Sequence, residues 1–143
     1  MTSDEKLLNQ IYINSITAIN AISKMLKKTN NPKLYDCLFE QIKCYRKIAN
    51  TASKLLLEYD KLPIEKTSFF DSSALYVAVN IAGMGKISPH RLAKILISGS
   101  IEGIYDIVNY VNACTNAGQK SRFLAYSLIS LEEKNINVMN EFL

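Results

Sequence analysis

The chain has 143 residues, 48% of them hydrophobic, with five glycines and three prolines. That is enough for one domain with a packed core, and too few turn formers for a loop-rich β protein. The net charge of +4 arises in residues 1–66, which hold eleven Lys/Arg against seven Asp/Glu, whereas residues 67–143 hold six of each.

The excess gathers at Lys24, Lys27, Lys28 and Lys33 around the first interhelical turn. It forms no dense patch with interleaved aromatics, so a solvated helix end is expected and no nucleic-acid partner. No run of about 18 apolar residues is present. The opening Met-Thr-Ser-Asp-Glu-Lys does not read as a signal peptide, and three cysteines make a poor disulfide framework. A cytoplasmic protein without a membrane span is the expectation.

Helix 1 is predicted from about Asp4 to Lys28, capped by Ser3 or Asp4. Its core stripe is Leu8, Ile11, Tyr12, Ser15, Ile19, Ile22 and Leu26. Thr29-Asn30-Asn31-Pro32 suits a tight antiparallel hairpin. Helix 2, from about Lys33 to Lys61, carries Leu34, Leu38, Gln41, Ile42, Tyr45, Ala49, Ala52, Leu56 and Tyr59 inward. Cys37 and Cys44 lie on it, about 10 Å apart along the axis, too far to bridge.

Residues 62–87 differ from the rest. Leu62-Pro63 ends helix 2, Phe69 and Phe70 fall in a loop, and a short helix is predicted around residues 73–82, near Tyr76. A link this long can travel the length of a helix, at about 3.3 Å per extended residue. Helices 2 and 3 can then run parallel.

Helix 3 is predicted over residues 88–116, with Ser88 as N-cap and Pro89 in the first turn. Leu92, Ala93, Leu96, Ile97, Gly99, Ile101, Gly103, Ile104, Ile107, Val108 and Val111 share one broad face, which implies cover from more than one side. His90 falls in the first turn, facing solvent, and Cys114 on the apolar side. After Asn116-Ala117-Gly118, helix 4 returns from about Gln119 to Phe142.

Two hairpins joined by one crossover give an all-α class and the topology of the ferritin-like antiparallel four-helix bundle, as a single domain over residues 1–143. In detail the sequence resembles small ferritin-like proteins of clostridia and related bacteria, distant relatives of rubrerythrin and of some spore-coat proteins. The resemblance rests on Ile11-Tyr12, on Gln41 with Tyr45, and on Ile97-Ser98-Gly99-Ser100 and Gly103-Ile104 with Asp106. Leu131-Glu132 with Asn135 completes it. It implies a fold and assigns no activity.

A di-iron bundle needs a Glu from each of two helices and Glu-x-x-His from each of the other two. This chain offers Ser15 on helix 1, Gln41-x-x-Cys44 on helix 2, Ser100 on helix 3 and Glu132-x-x-Asn135 on helix 4. One carboxylate and no imidazole remain, so a degenerate metal site, no cofactor and no catalytic residue are expected. Any metal would fall to Gln41, Cys44, Glu132 and Asn135. Ser15, Gln41, Tyr45, Ser100, Glu132 and Asn135 are expected to form a buried hydrogen-bonded network that fixes helix register.

The expected function is a non-enzymatic structural or protein-interaction module with a homodimer or another protein as partner. The alternative is a redox- or stress-related protein retaining a weak metal or small ligand between the helices.

Overall fold

The computed structural model describes residues 1–64, 81 and 83–143. The short helix expected around residues 73–82, and Phe69, Phe70 and Tyr76 with it, lie outside the described residues apart from Ile81, which is buried. Among the described residues the chain is all-helical: α1 (Ser3–Leu26), α2 (Pro32–Leu57), α3 (Pro89–Ala113) and α4 (Gln119–Asn140), with no strand. None of these helices is long and apolar enough to cross a membrane.

Local chemistry sets the helix ends. Thr2 caps α1, its hydroxyl accepting from the Glu5 N–H, so the helix starts one residue earlier than a Ser3 cap would allow and two earlier than an Asp4 cap. Asn31 caps α2 through the Leu34 N–H, with Pro32 in the first turn, where its missing N–H costs nothing. Helix α2 stops at Leu57, short of Lys61. Asp60 takes a left-handed φ of 56° and the Lys61 N–H reaches back to the Leu56 carbonyl, a Schellman-type closure without glycine. Ser88 caps α3 as expected from its position before Pro89.

The N-terminus of α4 is handled differently. Gly118 at its N-cap has no side chain to offer. The Asp4 carboxylate of α1 serves instead, accepting from the Gly118 N–H at 2.8 Å and the Ser121 hydroxyl at 2.7 Å. One acid thus sits in the first turn of α1 and beside the start of α4, where the helix dipoles favour negative charge.

Other contacts show which ends meet. The Ile87 N–H donates to the Lys28 carbonyl at 2.8 Å, bringing the entry of α3 to the exit of α1. Lys120 lies 3.4 Å from Glu58, and Lys33 lies 3.5 Å from Glu141. Part of the lysine excess has a structural task here. The Lys28 ammonium donates to the Met84 carbonyl in the segment before α3, and that of Lys86 donates to the Lys27 carbonyl just past the end of α1.

Helix α1 packs most on α2 and α3 most on α4, while α2–α4, α1–α3 and α1–α4 contacts close the core. Leu8, Ile11, Leu34, Leu38, Leu56, Leu92, Ile107, Leu128 and Met139 are fully buried there, each contributing about 1.5–3 kcal/mol through lost apolar exposure. Leu7 and Met25, outside the predicted stripe of helix 1, are equally buried. Tyr59, predicted inward, is 43% exposed because α2 has already ended. The broad buried face of α3 proves narrower than predicted. Gly99, Ile101 and Val108 are exposed, since α3 packs on α1 and α4 with no comparable packing on α2.

Candidate functional site

Midway along the bundle each helix turns polar or small residues inward. Helix α1 supplies Ser15, α2 supplies Gln41 and Tyr45 one turn apart, α3 supplies Ser100 and Gly103, and α4 supplies Glu132 and Asn135 at i and i+3. Ser15, Gln41, Tyr45, Ser100, Glu132 and Asn135 are all buried.

Three of them form a chain of hydrogen bonds. The Tyr45 hydroxyl donates to Glu132 Oε1 at 2.7 Å and accepts from Asn135 Nδ2 at 3.0 Å. Ser100 lies beside the carboxyl and also favours its charged form by hydrogen bonding. Ser15 turns back on its own helix, donating to the Ile11 carbonyl at 2.8 Å. Gln41 Nε2 is buried with no hydrogen-bond partner among the described residues. Cys44 is half-buried on α2, His90 is exposed at the start of α3, and Cys114 is buried in the core.

Burial governs the electrostatics. It raises the Glu132 pKa to about 7, while hydrogen bonds from Tyr45 and Ser100 pull it back. Burial, then the neighbouring Glu132 charge, holds the Tyr45 phenol well above its ordinary range. A carboxyl that can be neutral near pH 7, next to a phenol that stays protonated, is suited to holding a hydrogen bond in either direction.

A di-iron centre, the group that a ferritin-like resemblance brings with it, does not fit these residues. Two highly charged ions need several anionic oxygens. Among the described residues the centre offers one carboxyl, already engaged by Tyr45, among neutral amides and hydroxyls. Among the described residues no group of three or more His, Cys, Asp or Glu is arranged to hold a metal ion.

Beside this centre a cavity of about 80 Å³ opens between α1 and α3. Gln41, Tyr45, Ser100 and Glu132 line its inner end, while Cys44 and Asn135 do not line it. Asn14 and Thr17 of α1 and Gly99 of α3 stand at the outer end. Sequence reasoning missed this α1 contribution. Gln10 donates to Asn14 at 2.7 Å and to Asp106 of α3 at 2.9 Å, fastening α1 to α3 next to the opening. The available signal was the run Gln10, Asn14, Thr17 and Ala21, a polar and small stripe opposite Gly99 and Gly103.

Compared with protein-family models, curated proteins and solved structures, the chain finds no match.

Proposed function

We propose that this protein is a ferritin-like bundle, its di-iron site lost, that acts without enzymatic activity as a structural or protein-interaction module through self-association. The end-to-end contacts support the topology. Asp4 with Gly118, Lys28 with Ile87, Glu58 with Lys120 and Lys33 with Glu141 are the contacts expected of two antiparallel hairpins with α2 parallel to α3.

The observation that carries the interaction reading is on the outer face of α2 and α4. Phe123 is 73% exposed, beside a groove of about 570 Å³ that it lines together with Ile48, Leu55 and Leu124. A knob beside its own hole is self-complementary across a two-fold axis, so each Phe123 can enter the groove of a second copy. Tyr126, 51% exposed one turn on, extends the apolar patch. Light scattering tests this. Wild type should form a dimer at micromolar concentration, and Phe123→Glu should shift it to the 16.1 kDa monomer. A wild-type monomer at every concentration contradicts the reading.

The alternative, a redox- or stress-related protein keeping a weak metal or small ligand at Gln41, Cys44, Glu132 and Asn135, draws support only for Gln41 and Glu132. Those two share the α1–α3 cavity.

A further inference from the structure

We propose that the cavity between α1 and α3 is a binding site for a short, neutral aliphatic molecule ending in a hydroxyl group, its head seated between Gln41 and Glu132. This goes beyond the interaction role and does not depend on it.

The first ground is an orphan. Gln41 is 6% exposed, yet its Nε2 has no partner among the described residues, and it lines the cavity. Leaving such a buried donor unsatisfied is costly, and an acceptor in the cavity removes that cost. The second ground is access to Glu132. Its Oε1 is taken by Tyr45, while its carboxyl lies against Gly103, where an added Cβ would stand 3.4 Å from the carboxyl carbon and 3.5 Å from Oε2. Glycine at this position leaves that side of the carboxyl uncovered.

The chemistry of the walls selects the ligand. The inner end provides the unpaired Gln41 amide donor, the Glu132 carboxyl, and the Tyr45 and Ser100 hydroxyls already turned to that carboxyl, with no cation among the lining residues. An ionised acid would meet the Glu132 carboxylate with nothing to neutralise it. An ammonium cannot accept from Gln41. A hydroxyl accepts from Gln41 and either donates to the Glu132 carboxylate or accepts from the neutral acid, so it suits both protonation states.

Ala18, Ala21, Ile22, Met25, Ile95 and Leu96 give the remainder an aliphatic lining. At about 80 Å³ the volume is about half that of a cavity known to admit benzene, so a molecule of about three heavy atoms fits.

The test uses the isotope-labelled protein and ethanol, followed by amide NMR. Saturable millimolar shifts are expected at the Gln41 side-chain amide and at Gly99 and Gly103, with acetate and ethylammonium weaker by about tenfold or more. Gln41→Leu should weaken ethanol binding by about tenfold while leaving the melting temperature unchanged or higher, because the orphan is gone. A purely structural glutamine would lower it. Gly99→Leu, whose Cβ meets open space, should fold and block the opening. Unsaturable or scattered shifts, equal affinity for the charged analogues, or unaltered binding in both variants would overturn the proposal.

Discussion

At Glu132 burial and hydrogen bonding pull in opposite directions, and burial prevails, setting the pKa at about 7 against 4.5 for the solvated side chain. The folded protein therefore holds this proton more tightly than the unfolded chain does. The associated stability is fully present below about pH 4.5 and is lost as pH rises through 7, by up to roughly 3 kcal/mol. Glu132→Gln removes the titration. Urea unfolding should find it within about 1 kcal/mol of wild type near pH 5, and more stable than wild type above about pH 8. Stability curves that stay parallel across this range contradict a raised pKa. Glu132→Ala should lose more, about 2–4 kcal/mol, through a cavity and an orphaned Tyr45 hydroxyl. Tyr45→Phe strips Glu132 of its donor and Asn135 of its acceptor, and should cost about 1–3 kcal/mol by the same measurement. The burial of Glu132 and Asn135 was legible in the sequence because both fall on the leucine side of helix 4. That Ser15 bonds its own helix and Gln41 is left alone was not legible. Helical phase tells which way a side chain leaves the backbone and nothing of the rotamer it adopts.

Two glycines on α3 and an acid on α1 carry the argument at the scale of the helix. A Cβ at Gly99 meets open space, whereas one at Gly103 meets Glu132 at 3.4 Å. Gly99→Ala should raise stability by about 1 kcal/mol through helix propensity, and Gly103→Ala should gain less, since its methyl comes into contact with the Glu132 carboxyl and covers it. Equal thermal shifts for the two would remove Glu132 from its position against α3. Asp4→Ala should cost about 1 kcal/mol by leaving the Gly118 N–H and the Ser121 hydroxyl without their acceptor. Amide hydrogen exchange should then speed up at the start of α4. Helix existence and rough length were readable from apolar period and from the Asn31-Pro32 and Ser88-Pro89 starts. The end of α2 was not, because a left-handed Asp60 rather than a glycine closes it. Nor was the width of the buried face of α3, which depends on which helices pack against it. Apolar residues at Ile101 and Val108 look identical on a helical wheel whether or not another helix covers them.

The whole molecule combines a core of aliphatic side chains with a polar centre whose single carboxyl is tied to a phenol, and an outer α2–α4 face where Phe123 stands clear. The first feature suits a bundle whose helix register is fixed by buried hydrogen bonds, and the second suits the proposed association with a second copy. An exposed aromatic beside an apolar groove bears on both solubility and assembly, so the oligomer is where the account is most exposed to refutation. Native mass spectrometry of protein prepared without chelator and then offered iron(II) reads metal content and assembly at once. The account predicts a dimer of twice 16.1 kDa with no stoichiometric iron, converted to monomer by Phe123→Glu. Two iron ions per chain, lost on Glu132→Gln, would contradict it.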